Sequence, residues 1–277
     1  MKHSRSEWKK ALDMELRQHR SSFMVYTVLR ALVILATVRQ FFLGNYESVF
    51  LCVLTLVLLI MPSLIQLKLR VELPTGLEII LLLFIFAAEI LGEIRAFYTL
   101  FPGWDTMLHT MNGFLMAAIG FALVDLLNRE SKMTFDLSPL YMAIVAFCFS
   151  MTIGVLWEFF EFAMDQFFML DMQKDWIVND ISTVMLDPTG GNTPVIINGI
   201  NEVIVNGQEL GLGGYLDIGL IDTMKDLLVN FVGAVVFSIF GYLYVKSRGE
   251  GKLAKRLIPT LKDEEEDYLT KVKEEKE

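Results

Sequence analysis

Nine residues in this chain are spaced so that acids, amides and one imidazole share single helix faces. Asp105, His109 and Asn112 follow at i, i+4 and i+7. Glu158, Glu161 and Asp165 follow at i, i+3 and i+7, and Asp222, Asp226 and Asn230 at i, i+4 and i+8. Carboxylates and an imidazole projecting from adjacent helices are the ligand types for a hard or borderline divalent cation, as in metal sites built into bundle cores. The expected metal ligands are Asp105, His109, Glu158, Glu161, Asp222 and Asp226, with Zn²⁺, Mg²⁺ or Mn²⁺ as the ion. Such an ion polarises a phosphoryl or carbonyl oxygen and activates water. His109 or Glu161 would act as base, and Asn230 would orient ligand or substrate. The charge balance points the same way. These five acids carry more negative charge than Arg39, Lys225 and His109 can offset, so either a cation is bound or several acids stay protonated.

The segments that carry these residues are among the most apolar in the chain. Of 277 residues 54% are hydrophobic, and the mean hydropathy is +0.48. Soluble domains contain roughly 45–50% apolar residues, so lipid is the expected solvent. Six stretches approach the roughly 20 residues that cross a bilayer core: Ser22–Leu43, Ser48–Ile65, Thr75–Glu93, Trp104–Leu127, Pro139–Phe168 and Ile218–Val245. Ser138 followed by Pro139 reads as an N-cap and first helical residue, and Pro62 as a kink or end of the second stretch. The N-terminus, the loops at Lys68–Arg70 and Arg129–Lys132 and the Lys246–Arg256 flank hold fifteen Lys or Arg, against Arg95 and Lys174 on the other side. By the positive-inside rule both termini are cytoplasmic.

In that orientation the three polar stripes lie at one depth, near the outer surface. Glu158 stands about 28 Å along its helix from Pro139. Glu89, Glu93 and Arg39 fall near the outer ends of their own segments. Gly113, Gly120, Gly154 and Gly233 continue the stripes inward, where small residues let helices approach closely. The expected fold is therefore an all-α polytopic membrane protein. It would be a six-helix transmembrane bundle with a small extracytoplasmic insertion, residues 170–217, containing a β-hairpin. The insertion runs "TPVIINGINEVIVNG", with two β-rich runs around Asn198–Gly199, a hairpin signal. Residues 1–20 read as a basic amphipathic helix on the inner surface, with Trp8, Leu12 and Leu16 on one side. Residues 247–277 read as a charged cytoplasmic tail.

Several chemistries are excluded. The chain has no HExxH, no GxSxG and no phosphate-loop motif. His3 and His19 lie on the cytoplasmic side of the expected topology, so a histidine-rich phosphatase centre cannot form. The net charge of -9 gives no reason to expect nucleic acid. Cys52 and Cys148 lie in apolar runs and read as packing residues, not as a disulfide.

"WDTMLHTMNGFL", "LWEFFEFAMD" and "GLIDTMKDLLVNFVGAVV" resemble the D-x-x-x-H, E-x-x-E and D-T-x-x-D-x-x-x-N-x-x-G signature of small bacterial inner-membrane proteins of the YjdF type. The order of motifs is also similar to that of the VanZ-like membrane proteins. The resemblance spans roughly Glu89 to Gly241 and puts the signature on Asp105, His109, Glu158, Glu161, Asp222, Asp226, Asn230 and Gly233. It implies a multi-pass protein of the bacterial cytoplasmic membrane associated with the cell envelope, and no settled reaction. The 170–217 insertion departs from a compact VanZ-like core.

The leading expectation is a metal-dependent hydrolase or transferase acting at the outer face on a lipid-linked or other envelope substrate, with the lipid bilayer as a partner. The alternatives are a proton- or cation-coupled transporter or channel using the same carboxylates, and an envelope structural or sensing protein acting through its insertion. Oligomeric state stays open.

Overall fold

The computed structural model describes residues 5–130, 137–247, 257–262 and 267–274. Apolar runs become long helices, as their composition requires. Five helical segments are long and apolar enough to cross a membrane: Arg20–Phe42, Tyr46–Lys68, Trp104–Asp125, Pro139–Phe168 and Leu220–Lys246. In chain order α1 is Arg5–Arg17, α2 Arg20–Phe42, α3 Tyr46–Leu58 and α4 Met61–Leu69. Pro62 sits in the first turn of α4 and divides the second apolar stretch there. The third expected span is not one long helix. It consists of α5, Thr75–Phe86, continued by a π-helix over Ala87–Ile94. Ala96 then takes a left-handed φ of 56°, which turns the chain into the short α6, Phe97–Leu100. Helix α7 is Trp104–Glu130, α8 Pro139–Phe168 and α9 Leu220–Lys246. Ser138 caps α8, accepting from the Tyr141 amide at 3.2 Å.

The chain divides into two compact units, residues 1–153 with 229–277, and residues 154–228. The first unit's hydrophobic centres include two that join its long apolar helices. One joins Ala117, Ala118 and Phe121 of α7, Met142 and Ala146 of α8, and Ala234 and Phe237 of α9. The other joins Tyr26, Leu29 and Val33 of α2 to Cys52 of α3, Leu82 of α5 and Ile90 of the π-helix. Lipid tails are as apolar as these side chains, so van der Waals fit rather than water exclusion selects the packing. The run of small residues on α7 and α9 is what permits the close fit.

Helix α1 packs against α4 and the C-terminal helix. Ala11 packs with Leu67 of α4, and with Leu269 and Val272 of α10, which is Tyr268–Glu274; Trp8 and Leu12 flank this cluster. Residues 260–262 join the same region. Strand β8, Thr260–Leu261, pairs antiparallel with β1, Val71–Glu72. Lys262 then enters the polar end of α1, where its ammonium meets the buried Glu15 carboxylate and donates to Gln18 Oε1 at 3.1 Å. Arg70 anchors Asp267 at 3.2 Å.

The second unit holds the C-terminal end of α8, the first two turns of α9 and three two-stranded sheets: β2 (Ile177–Val178) with β7 (Tyr215–Leu216), β3 (Ile181–Thr183) with β4 (Val195–Ile197), and β5 (Ile204–Val205) with β6 (Gln208–Glu209). A hairpin is present, but its turn is Asn206–Gly207, not Asn198–Gly199. A two-residue type I′ turn needs positive φ at both positions. Asn206 and Gly207 have 52° and 81°, whereas of the other pair Gly199 alone is positive, at 66°. Gly199 instead donates its amide to Asp180, and Val195–Ile197 pair back with Ile181–Thr183.

The "DPTGGN" turn is organised by one side chain. Asp187 accepts from the amides of Thr189, Gly191 and Thr193 and from the Thr189 hydroxyl, all within 2.9 Å. Led by the Thr193 and Thr189 amides, these donors pull its carboxyl down to about 2. A depressed acid stabilises the loop above its unfolded value, near 4, and loses that contribution as pH falls through about 2. Asp187→Ala is expected to speed hydrogen exchange at the Gly191 and Thr193 amides about tenfold at neutral pH. Unchanged exchange rates would show that the turn closes without the carboxylate.

Candidate functional site

The centre of the first unit is a crossing of α7 and α9. Asn112 donates its amide to Asn230 Oδ1 at 3.1 Å, and Asn230 is 1% exposed. The Asn230 amide in turn points at Met151 Sδ of α8, 3.6 Å away. A Cβ at Gly113 would overlap the Asn230 carbonyl oxygen, and one at Gly233 would overlap that of Thr110. The two backbones therefore touch, and the glycines make the contact feasible. Farther along, Phe114 meets Phe237 at 5.1 Å, and Phe121 lies against Gly241. Contacts advance together along both helices, so α7 and α9 run parallel. The α8 contacts run the opposite way, with Phe147 on Phe231 and Ser150 donating to the Gly113 carbonyl at 2.7 Å. Three helices that alternate in direction are what successive membrane crossings require.

On α7 the chemistry lies one turn from this lock. His109 Nε2 stands 3.5 Å from Asp105 Oδ1, with side chains 11% and 33% exposed. The i, i+4 spacing that singled them out does bring them together.

The second unit divides its acids into two kinds. Asp165 accepts both the Met172 and Gln173 amides, at 2.6 and 2.9 Å. Asp222 Oδ2 accepts the Lys174 amide at 2.8 Å, while its Oδ1 faces Trp176 Nε1 at 3.4 Å. Gln173 adds a bond to Thr223, and the Lys225 ammonium lies 2.9 Å from the Trp176 ring centre. Residues 172–176 thus form a strap tied to the end of α8 and the start of α9. Both Asp222 oxygens face it, although the stripe pattern places Asp222 among the ligands. The other acids of the stripes are buried along the helices. Glu158, Glu161 and Asp226 are 4%, 8% and 3% exposed. Glu161 Oε1 accepts from Trp157 Nε1 at 2.8 Å, an i, i+4 contact visible in the sequence. The strap has no such local signal, because Lys174 and Trp176 lie 48 and 46 residues from Asp222.

The remaining polar residues scatter. Glu89 sits half-buried on the π-helix, while Glu93 and Arg39 are exposed. Gly120 serves packing, because a Cβ there would lie 2.7 Å from Phe149 Cβ. Asn230, expected to orient a substrate, has both amide atoms engaged within the helix crossing.

Long apolar helices that alternate in direction and carry buried acids at one end define a helical membrane protein with a polar centre. The chain belongs to the DUF2238 family of predicted membrane proteins, whose profile matches residues 23–247. No curated protein and no solved structure matches it significantly.

Proposed function

We propose that this protein is a cation-dependent hydrolase or transferase of the cell envelope, with Asp105 and His109 of α7 among the ligands of its ion. The observation that carries the reading is the Asp105–His109 pair next to the Asn112–Asn230 lock. That lock sets α7 against α9 with an offset of 118 residues. An imidazole and a carboxylate one helical turn apart suit Zn²⁺ or Mn²⁺, with Asp226 kept as a further ligand on its sequence spacing alone. Glu158 and Glu161 remain further ligands or bases. Asp222 is the weakest of the six expected ligands, because the strap occupies its oxygens. Asn230 becomes a positioning residue that holds the helix register.

The bound ion would polarise a phosphoryl or carbonyl oxygen and lower the pKa of a coordinated water, with Glu161 as the base that receives its proton. The excess of basic residues on the Lys68, Arg129 and Lys246 loops supports cytoplasmic termini and an outward-facing site in a bacterial inner membrane. The substrate class is then a lipid-linked envelope molecule. Counting α5 with the π-helix as one 20-residue crossing of about 30 Å restores six spans. The three motifs support membership of the YjdF type within this family.

Purified protein is expected to carry about one equivalent of a transition metal, with His109→Ala and Asp105→Ala each weakening retention about 100-fold or more. Elemental analysis of wild type and variants tests this. A metal-free wild type, together with full complementation of a deletion strain by both variants, overturns it.

A further inference from the structure

Arg30 stands ten residues beyond Arg20, about 15 Å along α2 and near the middle of that 23-residue span. It is exposed, and so are the apolar side chains of Met24, Val28, Leu32 and Leu35 around it, as on a lipid-facing surface. An arginine at that depth ordinarily faces the bundle interior or pairs with an acid. Among the described residues no carboxylate reaches Arg30. Both of its polar contacts are with Tyr26. Nη1 donates to the phenol oxygen at 2.6 Å, and the guanidinium carbon lies 5.8 Å from the ring centre. Tyr26 is 5% exposed and packs in the cluster of Leu29, Val33 and Leu82. A buried ring thus holds the guanidinium one turn back toward Arg20. The other donors of its planar fork have no acceptor on the protein. Thr27 and Ala31 beside it are short and exposed, so the approach from the lipid side is open.

We propose that Arg30, held by Tyr26, binds the phosphate of a phospholipid drawn down along α2. A phosphate neutralises the charge and accepts two parallel hydrogen bonds from the fork, which hydrocarbon cannot do. The turn back to Tyr26 recovers only about 6 Å of the 15 Å to Arg20. The headgroup therefore descends to meet the guanidinium, and the leaflet thins beside α2. A second copy of the chain offers no such partner. Among the described residues of the five long apolar segments the exposed acid is Glu47, which follows the far end of α2. The proposal rests on α2 alone and stands whatever the Asp105–His109 pair binds.

Delipidated protein in detergent, titrated with phosphatidylglycerol or with phosphate-free diacylglycerol and read by native mass spectrometry, tests the proposal. Arg30→Gln is expected to weaken phosphatidylglycerol binding about fivefold, the contribution of one basic side chain at an anionic headgroup. Diacylglycerol binding should not change. Arg30→Lys keeps the charge without the fork, so its loss should be smaller, and it serves if the glutamine variant does not fold. Tyr26→Phe keeps the buried ring but releases the guanidinium, and should weaken phosphatidylglycerol about twofold. Added to Arg30→Gln it should change nothing further, because the phenol acts only through the arginine. Unchanged phosphatidylglycerol binding by both Arg30 variants overturns the proposal. So does a Tyr26→Phe effect of equal size without Arg30, or an equal loss of diacylglycerol. Dimers in phosphatidylcholine nanodiscs that Arg30→Gln dissociates would also overturn it, by giving the arginine to a second chain.

Discussion

Gly113→Ala and Gly233→Ala are each expected to destabilise the protein by about 3 kcal/mol, at or above the top of the usual range for overpacked sites. The added methyl at 113 meets the Asn230 carbonyl oxygen, and the one at 233 meets that of Thr110. Both obstacles are main-chain atoms of rigid helices, so no rotamer change relieves them. The helices must separate, which breaks the Asn112–Asn230 bond and loosens Phe114 from Phe237. Because one separation relieves both overlaps, the double variant should cost less than the sum of the singles. Gly120→Ala should cost less. Its methyl would meet Phe149 Cβ at 2.7 Å, a wider approach than the 2.0 Å at the other two glycines, though also to an atom that no rotamer change moves. Equilibrium unfolding in mixed detergent micelles measures all four variants. Wild-type stability in Gly113→Ala would mean that α7 and α9 do not touch at this crossing.

Lys262→Met is expected to cost about 3–5 kcal/mol, because it leaves the Glu15 carboxylate buried without its cation. The two side chains are 2% and 1% exposed, so solvent cannot substitute for the lost partner. Glu15→Leu combined with Lys262→Met should recover most of the loss, since an apolar pair of similar size has no charge to bury. Acidity separates this account from simple packing. Burial is the largest influence on Glu15 and raises its carboxyl, against the hydrogen bond and charge of Lys262. A raised folded value means that the folded protein holds the Glu15 proton more tightly than the unfolded chain. That preference favours folding at low pH and is lost as pH rises through the raised value. Removing Lys262 raises Glu15 further. The Lys262→Met defect should therefore be smallest near pH 5 and largest near pH 8. Protease cleavage between β8 and α10, followed across that range, reports it. A defect independent of pH would assign the loss to packing alone.

Periodicity and composition alone determined much of this protein. Helix α8 begins and ends at Pro139 and Phe168 as read from sequence, because Ser138 and Pro139 mark its start by local chemistry. The division at Pro62 and the Asp105–His109 contact were legible for the same reason, since both depend on residues within one turn. The third segment was legible as apolar, but its change from α5 to a π-helix was not. That change lies in backbone hydrogen bonding, which hydropathy does not record.

What only the tertiary structure decided involves partners distant in sequence. The Asn198–Gly199 signal lost to Asn206–Gly207, because Val195–Ile197 found its partner at Ile181–Thr183 instead. Residues 260–262 pack as they do because β1 offered an edge and Glu15 a counter-charge, some 190 and 247 residues away. Asp222 shares the spacing of Asp226, yet the strap faces both its oxygens. Helix periodicity places a carboxylate on a face. Which donors reach it is set by how the rest of the chain returns.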